Sequence, residues 1–306
     1  MDDRNRQKLI KELAALGTEQ ANPDTTDIDS LSPLEICKKI NDEDQKVADV
    51  VRRALPEIAK AAEIAAKTWK SGGRIVYIGA GTSGRLGVLD AAECPPTFGV
   101  DPSQTVGLIS GGYDTLILSK EGAEDHENWA VDDLKRIELT ANDFVIGIAA
   151  SVRTPYTQAG IAYAKETGCK TALVVCNDAN SLKTSPDILV VLKVGPEAIT
   201  GSTRMKSGTA QKMTLNMITT TAAVLTGKTY GNLMVDLMAR SEKLHARSRK
   251  ILMEFLNIDY DNAEVLLESA DESVKIAIVM KRLGIDRSEA ERRLEKADGF
   301  LRRVIG

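Results

Sequence analysis

The sequence has few of the residues that build metal sites, disulfide frameworks or aromatic surfaces. Its 306 residues include two histidines and four cysteines, and aromatic residues make up 4% of the chain. The cysteines stand far apart, without a C-x-x-C spacing or an adjacent histidine: Cys37, Cys94, Cys169 and Cys176. This pattern is typical of reduced cytosolic thiols and disfavours zinc centres and disulfides. We therefore expect a cytoplasmic protein with no bound metal.

Long apolar runs and clusters of basic residues are also missing from the sequence. The chain starts with the charged segment Met1-Asp2-Asp3-Arg4, and no apolar run approaches the roughly 20 residues of a membrane-spanning helix. The net charge is -4, and the lysines and arginines are scattered. A scattered positive charge disfavours a nucleic-acid partner. We expect a protein that binds neither membranes nor nucleic acid.

The most informative stretch of the sequence begins with the apolar run Ile75–Ile78, which is typical of a strand buried on both faces. Three glycines and two hydroxyl residues follow, and a helical pattern then starts at Leu86. The first N–H groups of a helix and the positive end of its dipole attract anions. The stretch therefore predicts an anion site between a strand and a helix.

Gly79, Gly81 and Gly84 also form a G-x-G-x-x-G motif, which is typical of dinucleotide-binding folds. Such folds need an acidic residue after the second strand to hold the ribose. The second apolar run, Thr105–Ile109, is followed by Ser110-Gly111-Gly112 and no carboxylate. The hydroxyls of Thr82 and Ser83, with Arg85, suit a phosphate monoester better. A helix capped by Ser83 or Thr82 without any ligand remains an alternative.

Regular alternation of apolar runs and helical segments predicts an α/β protein with a doubly wound parallel sheet and helices on both faces. The further strands are expected at Val106–Ile109, Phe144–Ala149, Ala172–Val175 and Ile188–Val191, and the helices around 123–138, 155–167 and 203–226. Upstream, we expect a short helix at 4–16, a loop at 18–32, and a helix from Pro33 to Trp69 that Pro56 kinks or restarts. Ligands of such sheets bind outside the carboxyl ends of the strands.

Two further segments at strand ends carry hydroxyl and basic residues. Ser151, Arg153 and Thr154 follow the third strand, and the segment from Thr200 to Lys212, with Ser202 and Lys206, follows the last one. Two such loops that converge would give a phosphate several N–H and O–H donors. The alternatives are a capped helix start for the first segment and close helix packing for the second.

The last 50 residues change in character. Three short helical patterns follow one another there, which predicts a small three-helix domain at 256–306 after a main domain at 1–255. No catalytic constellation is present in this part, so we expect a role in packing or in a dimer.

Long motifs in order along the chain make it resemble the N-acetylmuramic acid 6-phosphate etherase family. They are Gly79-Ala-Gly-Thr-Ser-Gly-Arg85, Leu89-Asp-Ala-Ala-Glu-Cys-Pro-Pro-Thr97, Glu121-Gly-Ala-Glu-Asp125, Arg153-Thr-Pro-Tyr156, Thr200-Gly-Ser-Thr-Arg-Met-Lys206 and Gly231-Asn-Leu-Met-Val-Asp236. The resemblance implies a sugar isomerase (SIS) fold, a homodimer, a phosphosugar substrate and no cofactor. Where the family usually has Ser-Gly-Arg-Thr-Pro, this chain has Val152, which would be strained at a positive φ and would crowd the phosphate.

The resemblance implies that the D-lactyl ether of the substrate is removed by elimination and addition of water, with Glu93 and Glu124 as the catalytic acid/base pair. Glu93 is expected at the C-terminal end of a helix, where the dipole favours a protonated carboxyl and thus a proton donor. Glu124 is expected to act at C2 or at the attacking water. Without the resemblance, a solvated helix end is the favoured interpretation of Glu93 and a first-turn carboxylate that of Glu124. His245 is a further candidate, for ring opening, although a packed or exposed helical histidine is the simpler interpretation.

The phosphate and sugar are expected to contact a set of loop residues: Gly81, Thr82, Ser83, Arg85, Ser151, Arg153, Thr154, Ser202 and Lys206. Two other functions remain open at this point. One is a non-catalytic phosphosugar sensor like glucokinase regulatory protein, which is similar to this family. The other is an aldose–ketose isomerase on the same fold.

Overall fold

The computed structural model of the protein describes residues 16–178, 182–237 and 242–306. The helix predicted at residues 4–16 falls, apart from its last residue, outside the described residues. No helix in these three ranges is both long enough and apolar enough to cross a membrane.

Five parallel strands form the central sheet, as the alternation of strands and helices predicts. They are β1 (Ile75–Gly79), β2 (Thr105–Ile109), β3 (Phe144–Ala149), β4 (Lys170–Val175) and β5 (Ile188–Val191). Their order in the sheet is β2-β1-β3-β4-β5. In this doubly wound order the winding reverses between β1 and β3, and ligands bind at that switch point.

Helices cover both faces of the sheet, which confirms the predicted α/β class. They are α1 (Pro33–Lys70), α2 (Gly81–Phe98), α3 (Glu127–Arg136), α4 (Pro155–Glu166) and α5 (Lys206–Leu225). Residues from α1, α2 and α5 pack with Ile75 and Tyr77 of β1, whereas residues from α3 and α4 pack with Val76 and Ile78. Because successive side chains of a strand point to opposite faces, β1 is apolar throughout.

Helix α1 is continuous over 38 residues, so the restart predicted at Pro56 does not occur. It begins with the predicted capping box, in which Glu35 accepts a hydrogen bond from the backbone N–H of Ser32 at 3.0 Å. A proline inside a helix costs about 3 kcal/mol. Buried residues before and after it, such as Val51 and Ile58, hold both halves of the helix on the same core and offset that cost.

The C-terminal part of the chain has a hydrophobic core of its own. The three predicted helices are α7 (Tyr260–Ser269), α8 (Val274–Leu283) and α9 (Arg287–Lys296), followed by the short α10 (Leu301–Ile305). Helix α6 (Glu242–Leu256) and the hairpin of β6 (Thr229–Tyr230) and β7 (Leu233–Met234) pack into the same core. The division of the chain at residue 256 stays a prediction.

Residues 16–25, here called the N-terminal strap, lie across the ends of β4 and β5. The segment consists of short turns, in agreement with the predicted loop. Its backbone and side chains bond to residues far along the chain: Thr18 to Asn177 at 2.9 and 3.2 Å, and Thr25 to the carbonyl of Ala198 at 2.9 Å. The strap thereby closes one side of the space above the strand ends.

Candidate active site

A cavity of about 390 Å³ lies at the switch point of the sheet, where the loops after β1 and β3 meet. Predicted residues from both loops line it: Gly81, Thr82, Ser83, Ser151, Arg153 and Thr154. Glu124, Asp125 and Glu19 also line it. The cavity, here called the main lobe, therefore combines two predicted phosphate loops with carboxylates.

The first loop is as short as a strand-to-helix connection allows, because Ala80 alone separates β1 from α2. A Cβ atom on Gly84 would lie 2.6 Å from the carbonyl oxygen of Gly79, so only glycine permits this close approach. Gly81, at φ +54°, adopts a left-handed conformation that glycine favours. The G-x-G-x-x-G spacing is thus explained by packing of the turn, without a dinucleotide.

The hydroxyl residues of the first loop do not cap α2, so the alternative of a helix capped by Ser83 or Thr82 is wrong. The residue at the cap position is Ala80. Ser83 is buried, and its hydroxyl donates a hydrogen bond to Oε1 of Gln211 at 2.9 Å. The N–H groups of the first turn of α2 have no partners inside the helix, and the main lobe lies in front of them.

The second loop presents another helix N-terminus to the same cavity. Helix α4 begins at Pro155, and Thr154 at its cap position makes no capping bond with any described residue. The hydroxyl oxygen of Ser151 accepts the backbone N–H of Arg153 at 3.0 Å, which shapes the loop. Two helix N-termini without side-chain caps face one cavity, an arrangement that favours an anion.

Val152 neither strains this loop nor lines the cavity. Its φ is not among the positive values of the described non-glycine residues. Its side chain is 1% exposed and packs in the core cluster that contains Leu16 and Tyr156. The expected crowding of a phosphate by this valine is therefore not observed.

Glu124 is the predicted catalytic residue that the structure brings to the cavity. The residue is exposed overall, but partial loss of hydration around its carboxyl raises the pKa of Glu124, and the charges of Asp125 and Glu121 raise it further. A raised pKa brings a carboxyl nearer to the pH at which it exchanges protons with a substrate.

A second cavity of about 230 Å³ adjoins the main lobe. The two share Ala80, Gly81 and Glu124 in their linings, so the second cavity, here called the second lobe, extends the same cleft. Arg85 lines the second lobe and not the main one. Its guanidinium donates to the carbonyls of Leu116, at 3.1 Å, and Thr115, so Arg85 braces a neighbouring turn.

Glu93 does not reach this cleft within the same chain. It is exposed on the penultimate turn of α2, 12 residues after Gly81, which corresponds to about 18 Å along the helix. Glu93 lines a different cavity of about 310 Å³, together with Asp90, Lys212 and Asn216. The two predicted catalytic glutamates are thus separated in a single chain.

Lys206, Ser202 and His245 also stand outside both lobes. The ammonium of Lys206 is buried and pairs with the carboxylate of Glu43, so in this structure the lysine serves the core and not a substrate. Ser202 does not line either lobe, although its neighbours Gly201 and Thr203 line the main one. His245 lies on α6 with Nδ1 3.1 Å from Oε2 of Glu272, and it lines neither lobe.

The structure adds lining residues that the sequence did not predict, among them Glu19 and Thr203. Glu19 belongs to the N-terminal strap, which has no periodic pattern, and the partners that hold the strap come more than 150 residues later. Thr203 lies in a segment that was predicted to contact ligand, but the sequence did not distinguish it from Ser202.

The chain is similar to known proteins over nearly its whole length. The family model described as glucokinase regulatory protein N-terminal SIS domain matches residues 57–165. An N-acetylmuramic acid 6-phosphate etherase from Colwellia psychrerythraea is 48% identical over 298 residues, which cover 97% of each chain. One from Cronobacter sakazakii is 50% identical over 293 residues, or 96% of this chain and 99% of the relative. A phosphoheptose isomerase structure from Francisella tularensis, at 13% identity, covers 64% of this chain and 98% of its own with a TM-score of 0.46.

Proposed function

The chain belongs to the N-acetylmuramic acid 6-phosphate etherase family, and we propose that it converts N-acetylmuramic acid 6-phosphate and water into N-acetylglucosamine 6-phosphate and D-lactate. This reaction serves the catabolism and recycling of cell-wall amino sugars. The observation that carries the proposal is the meeting of two helix N-termini, several hydroxyls and Glu124 in one cavity.

The chemistry avoids direct attack on an unreactive ether. In the ring-opened sugar, C3 lies β to the C1 aldehyde, and the carbonyl acidifies the proton on C2. Removal of that proton forms a C2=C3 double bond while the C3–O3 bond breaks, and the departing lactate oxygen takes up a proton. Water then adds to C3 and a proton returns to C2. Each positioned acid or base contributes about 10²–10⁴-fold to such steps.

In this proposal the main lobe binds the 6-phosphate at the N-termini of α2 and α4, through the backbone of Gly81 and Ser83 and the hydroxyls of Thr82, Ser151 and Thr154, with Arg153 beside them. Glu124 removes the C2 proton. Its raised pKa supports that role, because a base whose pKa approaches the working pH accepts a proton most effectively. Glu93 protonates the oxygen of the departing lactate.

The distance of Glu93 from its own cleft leads us to propose that it acts in the cleft of a second copy of the chain, within a homodimer. Leu89, which lines the cavity beside Glu93, is 47% exposed. Exposed apolar residues around a functional carboxylate suit a subunit interface. Free thiols at all four cysteines support action in the reducing cytoplasm.

Incubation of the protein with N-acetylmuramic acid 6-phosphate, followed by a D-lactate assay, tests the proposed function. An etherase releases lactate, whereas an isomerase or a phosphosugar sensor releases none. In H₂¹⁸O, elimination and hydration put the label on C3 of the sugar. Label in the lactate would instead contradict the elimination mechanism.

A further inference from the structure

The second lobe of the cleft contains positively charged residues to which the proposed reaction has not yet given a role. Lys120 and Arg85 line it, together with the hydroxyl residues Ser110, Thr115 and Ser119. Arg85 forms part of the wall of this lobe, because its guanidinium bonds to the carbonyls of Thr115 and Leu116 and lies 3.3 Å from Oγ of Ser119. Lys120, by contrast, makes no such hydrogen bonds to the described carbonyls of the wall.

Lys120 makes no ion pair with any carboxylate of the described residues, although Glu121 and Glu124 line the same lobe. Its ammonium lies 4.6 Å from the centroid of the Trp129 ring. A cation over an aromatic face is attracted to the ring but keeps its capacity to donate hydrogen bonds to an anion. Trp129 is itself stacked on His126, with ring centroids 4.0 Å apart, which gives the ammonium a fixed platform.

We propose that the second lobe is the subsite for the lactyl carboxylate of the substrate and that Lys120 recognises this group. The inference rests on the proposed function, because the substrate of that reaction carries one anion on C6 and another on the group at O3. The main lobe accepts the first anion at its helix N-termini. The second anion then requires a cation elsewhere in the same cleft, and Lys120 meets that requirement.

The junction of the two lobes agrees with this orientation. Glu124 is one of the three residues that line both lobes. A sugar that spans the junction, with its phosphate in the main lobe and its lactyl group in the second, places C2 and C3 beside Glu124, where a proton is to be removed. The carboxylates of Glu121 and Glu124 repel a second anion, so binding of the lactyl carboxylate depends on the ammonium of Lys120.

A substrate comparison tests this subsite. The first compound is N-acetylmuramic acid 6-phosphate, and the second is its lactyl N-methylamide, which is neutral at that position. We expect the wild-type enzyme to prefer the free acid in kcat/KM by about tenfold, the scale of one charged hydrogen bond. In Lys120→Met this preference disappears because turnover of the free acid falls, and Lys120→Arg restores it.

Two controls separate recognition of the carboxylate from general damage. N-acetylglucosamine 6-phosphate lacks the lactyl group, so its binding should be the same in the wild type and in Lys120→Met. Lys135→Met is a matched variant, because Lys135 also lies over an aromatic ring, that of Tyr163 at 5.8 Å, but outside the cleft. It should keep the full preference for the free acid.

The outcomes distinguish the two proposals. A wild-type enzyme that releases lactate, with a Lys120→Met variant that keeps the tenfold preference, overturns the subsite alone. Equal loss of binding for the product and the substrate in Lys120→Met also overturns it. A wild-type protein that releases no lactate overturns the proposed function and this inference together.

Discussion

At the scale of single residues, Val152 anchors the second loop of the main lobe, because its side chain is buried in the core. The residues on either side of it, Ser151 and Arg153, line the main lobe, while the valine side chain is buried in the core with Leu16 and Tyr156. Its carbonyl also accepts a hydrogen bond from the side-chain amide of Gln158. The residue thus fixes the backbone of a binding loop without contact with the cavity.

Replacement of this valine by the glycine that is usual in the family should therefore cost stability and leave substrate binding unchanged. Val152→Gly loses a buried side chain and adds backbone freedom to the unfolded chain, which together lower the free energy of unfolding by about 2–3 kcal/mol. Urea-induced unfolding measures this change, and the KM for the phosphosugar is the parallel readout. A lower KM in the variant would mean that the valine does obstruct the phosphate.

The pKa of Glu124 gives the activity a predictable dependence on pH. Reduced hydration raises the pKa of this carboxyl, and the charge of Asp125 adds to the effect. In the role proposed for it, as the base at C2, Glu124 works only when ionised, so activity should fall as the pH drops through its pKa. Asp125→Asn removes one negative neighbour and lowers that pKa, and the acid limb of the kcat/KM profile should move to lower pH. An acid limb that stays in place would show that Glu124 is not the base.

At the scale of elements, a buried ion pair joins α1 to the start of α5. The side chains of Glu43 and Lys206 are 4% and 3% exposed. Glu197, also fully buried, accepts the backbone N–H groups of Lys206 and Ser207 at 2.8 and 2.9 Å and so caps α5. These contacts hold the segment before α5, from which Gly201 and Thr203 reach the main lobe.

This pair should make the stability of the protein sensitive to acid. Burial alone would raise the pKa of Glu43, but the hydrogen bonds and charges of Lys206 and Lys46 outweigh it and lower the pKa to about 2. A carboxyl with a depressed pKa stabilises the fold above its unfolded value of 4.5, and this contribution, about 3 kcal/mol, is lost as the pH falls from there towards 2.

Denaturant titrations at several pH values check this prediction. The double variant Glu43→Gln with Lys206→Met removes both charges. Its free energy of unfolding should therefore fall less than that of the wild type as the pH drops from 4.5 towards 2. The single variant Glu43→Gln leaves the lysine buried without its partner and should lose about 3 kcal/mol or more at neutral pH. Identical pH dependence in the wild type and the double variant would contradict the assignment to this pair.

The elements that the sequence predicts well are those whose residues are buried on both sides. All five strands were predicted to within two residues, because a strand between two layers of helices is apolar throughout. The restart at Pro56 was wrong because a local rule about proline says nothing of the core that holds α1. The partners of Lys206 and Arg85 could not be predicted for a related reason: a residue type reveals that a cation is present, but its partner comes from a distant part of the fold.

At the scale of the whole molecule, the separation of Glu93 from Glu124 leads to the prediction that two chains share each site. Both loops of the main lobe were predictable, because the ends of parallel strands meet at one edge of the sheet. The place of Glu93 near the end of α2 was predicted as well, but its separation from Glu124 was not, because spacing along a sequence does not give a distance across the fold.

Mixing of two inactive variants checks whether sites are shared between chains. Glu93→Ala and Glu124→Ala should each release no lactate alone. If a site combines Glu124 of one chain with Glu93 of another, one of the two sites in a mixed dimer is intact, and random co-assembly restores about a quarter of wild-type activity. A mixture that stays inactive, although native mass spectrometry detects mixed dimers, would show that Glu93 acts within its own chain or not at all.

The N-terminal strap has a consequence for biosynthesis. Residues 16–25 leave the ribosome well before their partners, because Asn177, Pro196 and Ala198, to which they bond, are translated 159 to 174 residues later. A nascent chain can thus complete β5, the last strand of the central sheet, while the strap does not yet form a wall of the cleft. The wall that the strap gives to the cleft can therefore form only after the chain up to Ala198 has been synthesised.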